Sequence, residues 1–376
     1  MSDDTARRPR SRGAGGAYRF DRAPRMIYWE MTRACALACR HCRAEAIPHR
    51  DPGELRTDEA LRMLAQLREF GDPAPHLVCT GGDPLQRPDL LQIVREGTRL
   101  GLAISLAPSA TANLTREVIA ALREAGMLSM SLSLDGATAA RHDAFRGVAG
   151  TYETTLRAAR WAREVGVMLQ LNTLVTADSV TDLPAMYALA RTLDIMRWSL
   201  FFLIPIGRGT ALPELAPLEA EVVMRWLAER AMEAPFAIAA TEAPHFRRVA
   251  LGLMTERGMT GAAIRRTAIG RGFGIRDGNG VMFISHRGEV TPAGFLPVVV
   301  GNVRERSPVE LYRSHEVFVA LRDPGRLRGK CGRCEFRELC GGSRARAYAA
   351  SGDFLGSDPL CAYAPAGQRP PVGAAA

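Results

Sequence analysis

At 376 residues the chain is too long for one small module and suits one large domain or two. Its 47% hydrophobic and 24% charged residues are ordinary globular composition, and with neither a membrane-length apolar run nor an apolar signal region a cytoplasmic protein with no membrane span is expected. Of the net charge of +9, Met1–Arg25 carries +4 (seven Arg against three Asp) and the rest is dispersed, so no basic block marks a nucleic-acid surface.

Residues 1–22 read as a disordered basic arm. From Met26 to about residue 210, β-like and helix-like segments alternate. Strands are predicted at Met26–Thr32, His76–Thr80, Leu102–Leu106, Leu128–Leu134, Val167–Leu174 and Trp198–Ile204. Thr57 is expected to cap a helix that carries Leu61, Leu64, Leu67 and Phe70 on one face. Further helices are predicted at Leu90–Leu100, Thr115–Ala125, Tyr152–Glu164 and Asp182–Leu193. Six βα units imply an α/β fold, a parallel sheet curved into a partial (β/α)6 TIM-type barrel over residues 23–212. A helix at Glu219–Ala231 opens a helical connector, 213–278. Val281–Ser285 and Glu289–Thr291 form a predicted hairpin, which opens a small Cys-rich domain over 279–364. That stretch has little room for an apolar core and is expected to need a metal to fold. Residues 365–376 form a loose Pro/Ala tail.

Of the 49 basic residues only Lys330 is a lysine, and it stands in no Schiff-base or phosphate-loop motif. Pyridoxal enzymes and P-loop ATPases are thereby excluded. The eight cysteines fall into two groups and one singleton. Clusters of this kind in a non-secreted chain point to metal or redox work. Cys35, Cys39 and Cys42 follow the first strand as C-x3-C-x2-C. Three thiolates can hold three irons of a 4Fe–4S cluster and leave the fourth open. Zinc would want a fourth ligand, which His41 or His49 could supply. Cys331, Cys334, Cys340 and Cys361 offer four thiolates, a closed set that suits zinc or a complete 4Fe–4S cluster. Cys79, inside a predicted strand, reads as a small buried hydrophobe. After the second strand comes Thr80-Gly81-Gly82-Asp83-Pro84, where two glycines allow close backbone approach and Pro84 stops the strand.

Together with the cysteines one strand earlier, this turn resembles the radical S-adenosylmethionine (radical SAM) superfamily, over roughly residues 25–210. The resemblance implies a [4Fe–4S] cluster on Cys35, Cys39 and Cys42 whose open iron is chelated by SAM. Reductive cleavage of SAM then yields methionine and a 5′-deoxyadenosyl radical that abstracts hydrogen from substrate. It also implies SAM contacts. Gly81, Gly82 and Asp83 match the segment that binds the amino group, with Asp83 in place of the commoner Glu. His41 matches the position that packs on adenine, Ser133 a strand-end contact to polar groups of SAM, Asn172 a ribose contact and Arg146 a carboxylate partner.

The second cysteine group resembles the SPASM-type extension, which holds auxiliary iron–sulfur clusters. Ala293 and Arg344 stand where the fuller pattern has cysteines, so one auxiliary cluster is expected, two [4Fe–4S] clusters in all. Cys340-Gly-Gly-Ser-Arg-Ala-Arg-Ala-Tyr348 most resembles the branch that works on heme-type tetrapyrroles. Arg344 and Arg346 could bind substrate carboxylates or pin the loop through Asp353 and Asp358. The expected function is hydrogen abstraction from a carboxylate-bearing tetrapyrrole intermediate, with ferredoxin or flavodoxin as electron donor. A radical SAM peptide maturase is the alternative within the family, and a non-catalytic zinc or iron–sulfur protein the alternative outside it.

Overall fold

The computed structural model describes residues 18–366. Its strands are β1 (Met26–Glu30), β2 (His76–Thr80), β3 (Ala103–Leu106), β4 (Ser129–Ser133), β5 (Met168–Val175), β6 (Arg197–Phe202), β7 (Ala237–Thr241), β8 (Val281–Ile284), β9 (Glu289–Thr291) and β10 (Gly301–Asn302). They form one sheet in the order β10-β9-β8-β1-β2-β3-β4-β5-β6-β7. From β1 to β7 every neighbouring pair is parallel, the arrangement that helical crossovers produce. This is a partial (β/α) barrel.

The strands are short and rich in apolar residues because helices cover one face, while the polar residues of β4 and β5, such as Ser131, Gln170 and Asn172, alternate with buried ones. Trp29, Leu77, Ile104, Met130, Leu171 and Trp198 are all buried, packed against Leu64, Ile93 and Ile119 from the covering helices. Local chemistry sets the helix ends. The Thr115 hydroxyl accepts from the Val118 amide and starts the helix Arg116–Glu124. Gly166, at φ +76°, ends Thr151–Val165 in the left-handed conformation that glycine adopts without a Cβ penalty.

Three expectations need correction. Thr57 is not a cap. It is the first residue of the helix Thr57–Arg68, Arg56 takes the cap position, and the Thr57 hydroxyl donates to Asp89 at 2.8 Å. The predicted connector contains a barrel strand. Within 213–278, β7 pairs in parallel with β6 (Arg197↔Ala237), and the helix Phe246–Glu256 packs on Pro217–Ala231. The β7 sequence, Ala-Ile-Ala-Ala-Thr, is mostly alanine and has no aromatic residue, a weak strand signal. Residues 18–22 of the predicted arm are ordered, since the Tyr312 hydroxyl donates to the Phe20 carbonyl and Arg313 Nε to that of Arg22. The rest of that arm, 1–17, and residues 367–376 of the tail lie outside the described residues.

The predicted hairpin is present as β8 and β9, yet it does not stand apart. β8 pairs in parallel with β1 (Met26↔Val281) and so extends the barrel sheet. Among the described residues no helix is long and apolar enough to cross a membrane.

Candidate active site

The segment after β1 carries the first cysteine group at the C-terminal end of the sheet. The Cys35 amide donates to the Ile47 carbonyl at 2.9 Å, which closes Cys35–Ile47 into a loop. Within it Cys35 and Cys39 are buried around Leu37, with Cys42 half-buried beside them. Each sulfur has a donor. The Leu37 amide lies 3.4 Å from Cys35 Sγ, Ala46 N 3.3 Å from Cys42 Sγ, and Arg146 Nη1 3.5 Å from Cys39 Sγ. Such donors stabilise sulfur as thiolate. Ser109 Oγ is a further neighbour of Cys35 Sγ, at 3.4 Å. Burial pushes the Cys35 thiol up.

The loop is clamped at its base. Arg43 pairs with Glu30, the last residue of β1, and His286 Nδ1 lies 2.7 Å from the same carboxylate. His286 Nε2 reaches Asp51 Oδ2 at 3.3 Å, which also receives Arg287 Nη2 at 2.7 Å. Burial alone would push the Glu30 carboxyl up, but Arg43 and His286 outweigh it and hold it at about 2. Asp51 is held at about 2 by hydrogen bonds from the Gly53 amide and Arg287.

Gly81 and Gly82 touch this loop. A Cβ on either would lie 2.4 Å from a backbone oxygen, that of Thr32 for Gly81 and of Ala34 for Gly82. The close approach expected toward a ligand is therefore made, within the protein, to the cysteine loop. Asp83 is fully buried, and its carboxylate accepts from the amides of Leu85 (3.2 Å) and Ser109 (3.3 Å) and from Thr111 Oγ1 (3.0 Å). Burial nonetheless pushes its carboxyl up.

His41 is stacked on Phe145, with ring centroids 4.9 Å apart. Burial, aided by the charges of Arg146 and Arg208, lowers it to about 4, so the ring is neutral. Its Nδ1 is buried and has no hydrogen-bond partner. Arg146 is buried and paired with Asp135. Ser133 and Asn172 face each other across β4 and β5, with Asn172 Oδ1 accepting from Gln170 Nε2 at 2.8 Å. The sequence reading missed Arg208. It follows β6 in Gly207-Arg208-Gly209, its amide donates to the Cys42 carbonyl at 3.2 Å, and its buried Nε and Nη2 have no partner. A Gly-Arg-Gly triplet at a strand's C-terminal end was the available signal.

The structure brings all four C-terminal cysteines to one cavity, which His245 and Arg248 also line. Burial pushes the thiols of Cys334 and Cys361 up, and that of Cys340 to about 12. Among the described residues no three His, Cys, Asp or Glu side chains converge as ligands of a single metal ion would. Arg344 and Arg346 are not available to substrate. Both are fully buried. Arg344 donates to the carbonyls of Phe354 and Gly356 and lies 3.5 Å from Cys331 Sγ. Arg346 donates to the carbonyls of Leu203 and Glu242 and lies 3.6 Å from Asp358. Asp353 pairs with Arg328 instead. Ala293 is buried at the end of β9, and Cys79 is buried within β2, as expected.

The model of the radical SAM superfamily matches residues 29–187. The AdoMet-dependent heme synthase of Methanosarcina barkeri is 40% identical over 343 residues, 91% of this chain and 97% of the relative. That of Oleidesulfovibrio alaskensis is 39% identical over 91% of this chain and 88% of the relative. Among solved structures, Streptococcus suis SuiB bound to S-adenosylmethionine superposes with a TM-score of 0.68 at 15% identity, over 91% of this chain and 78% of SuiB, a likeness of fold.

Proposed function

The chain belongs to the radical SAM superfamily, and from that premise we propose that it works in heme-type biosynthesis, on a carboxylate-bearing tetrapyrrole intermediate. One observation carries the reading. The similarity to the M. barkeri AdoMet-dependent heme synthase, at 40% identity, runs through 91% of this chain and so reaches well beyond the barrel.

Cys35, Cys39 and Cys42 would hold the SAM-binding [4Fe–4S] cluster. Their donor set fits, with three sulfurs on one loop and a hydrogen-bond donor at each. When bound, the cluster supplies the electron that cleaves SAM and thereby a hydrogen-abstracting radical. His41 Nδ1 and Arg208 Nε and Nη2 are buried donors or acceptors left unpaired beside this loop, which suits a polar ligand such as SAM. Stacked on Phe145, His41 offers an apolar, neutral face to an adenine ring. Gly81, Gly82 and Asp83 hold the loop's base from the next strand, and Ser133, the last residue of β4, and Asn172, within β5, present neighbouring polar groups. Arg146, engaged by Asp135, would reach the SAM carboxylate only by sharing its guanidinium.

Cys331, Cys334, Cys340 and Cys361 would hold a second [4Fe–4S] cluster. Unpaired buried nitrogens of His245, Arg247, Arg248 and Arg276 suit an anionic group there. An acidic electron-transfer protein would serve as donor.

The test is anaerobic reconstitution with iron, sulfide, SAM and a reductant. With a carboxylate-rich iron tetrapyrrole added, 5′-deoxyadenosine should form together with a tetrapyrrole of lower mass. SAM cleavage that no tetrapyrrole accelerates, with the tetrapyrrole recovered unchanged, would refute the substrate class.

A further inference from the structure

The C-terminal cysteine cavity lies beside more buried positive charge than the protein itself balances. Arg344 Nη2 lies 3.5 Å from Cys331 Sγ. Arg276 is 5% exposed, and its stem rests on Gly341, where a Cβ would lie 2.9 Å from Arg276 Cδ. Gly341 directly follows Cys340. Arg276 Nη1 donates to the Gly274 carbonyl at 3.2 Å, while Nε and Nη2 are buried without a partner. Arg247 Nη1 is unpaired in the same way. Arg344 and Arg247 both lie near enough to Arg276 to repel it, and Cys340 and Asp277 are the acidic groups near both Arg276 and Arg247.

Two carboxylates, Asp277 and Asp358, stand against these three guanidiniums. Asp277 Oδ2 accepts the amides of Arg344 (3.1 Å) and Ala345 (2.9 Å). Asp358 accepts the amides of Ser343 and Leu360 and lies 3.6 Å from Arg346, whose nearer carboxylate is Glu214 at 3.2 Å. Burial, with Asp277 beside it, holds the Glu242 carboxyl up at about 8, so it adds no negative charge at neutral pH. Buried charge without a partner is costly. The missing partner is the anionic assembly of four thiolates and their metal group, whose negative charge grows when the group is reduced.

We propose that Arg276 and Arg247 are tuning residues of the group bound by Cys331, Cys334, Cys340 and Cys361, their fixed positive charge favouring its reduced form and holding its reduction potential up. The proposal rests on the reading of that group as a second [4Fe–4S] cluster. At the first site the arginine on the sulfurs, Arg146, is paired with Asp135.

The test uses the full chain with Cys35, Cys39 and Cys42 replaced by Ala, so that only the C-terminal group contributes. Metal analysis comes first, then an anaerobic redox titration followed by electron paramagnetic resonance. Arg276→Met should lower the reduced-to-oxidised ratio at fixed potential about tenfold, or about 59 mV for a one-electron couple. Iron should stay at about 4 atoms per chain. Arg276→Lys keeps the charge and should recover most of the shift. Arg247→Met should move the potential in the same direction, and it carries the comparison if Arg276→Met does not fold. Iron retained with an unmoved potential in the folded Met variants overturns this proposal alone. Zinc in place of iron overturns the cluster reading and this proposal with it.

Discussion

The Gly82 amide donates to the Thr32 carbonyl at 2.7 Å, and a Cβ on Gly82 would lie 2.4 Å from the Ala34 carbonyl oxygen. The turn after β2 and the start of the cysteine loop are thus built against each other, with no room for a side chain. Gly82→Ala should push the loop off its seat, at a cost of about 1–3 kcal/mol for an overpacked contact. Iron should fall by about 4 atoms per chain, the content of one cluster, while the C-terminal cysteines keep theirs. Metal analysis and a thermal melt of the variant check both effects. Full iron content would show that the loop yields without losing its ligands.

Asp83 gives the same junction its second anchor. Asp83→Ala leaves the amides of Leu85 and Ser109 and the Thr111 hydroxyl without their acceptor. Each buried orphan costs about 1–3 kcal/mol, and SAM affinity should fall by a similar amount. Calorimetric titration with SAM separates the two effects. Lower stability with unchanged affinity would leave Asp83 a support of the turn and nothing more.

Arg208→Met should weaken SAM binding and leave the iron content unchanged, since Arg208 touches the cysteine loop through its backbone amide and not its guanidinium. The expected loss is about 1.5–3 kcal/mol, that of a hydrogen bond to a charged group. Equilibrium binding to the reconstituted variant measures it.

Seven clustered cysteines divide three and four, so the fully loaded chain should carry about 8 iron atoms. The Cys35/Cys39/Cys42 triple Ala variant should hold about 4, remain folded and fail to produce 5′-deoxyadenosine. Cys334→Ala should instead destabilise the C-terminal region. About 12 iron atoms in the unaltered protein would disprove the count.

The clamp beneath the cysteine loop makes stability acid-sensitive. Glu30 and Asp51 are both held at about 2, below ordinary values of 4.5 and 3.8. Carboxyls depressed in the folded state contribute stability that is fully present above the unfolded values. It is lost as pH falls from about 4.5 toward 2. Melting temperature should therefore drop steeply across that window. His286→Ala should make the drop shallower, because it removes a partner that helps depress both groups.

The barrel was legible because its strands are short apolar-rich segments, alternating with polar residues in β4 and the first half of β5, and its helices carry one apolar face. β2 was located to the residue, and β3 to β6 within a residue or two of their ends. β7 was missed because alanines fill it and Ile238 is its one fully buried side chain. The two cysteine groups were legible from spacing. The loop-pinning role of Arg346 at Asp358 was legible, but the burial of Arg344 and Arg346 and their carbonyl partners were not, since basic residues beside glycines look like a surface. Asp83 shows a subtler limit. Its motif drew attention to a ligand, while its oxygens accept from the Leu85 amide of the same turn and from Ser109 and Thr111 of the loop after β3.

Strand β1 is flanked by β2 on one side and by β8 on the other, a partner 255 positions further along the chain (281 − 26). As the chain leaves the ribosome, β1 to β6 can assemble by local crossovers while the outer edge of β1 stays bare. Only when Val281–Ile284 has emerged can that edge be covered. Closing so distant a pairing is slow, because the loop entropy is lost before the contact forms. In the interval β1 offers unpaired amides and carbonyls to any other extended chain. A chain truncated before residue 281 keeps that edge open for good and should aggregate, even though its cysteine loop is complete.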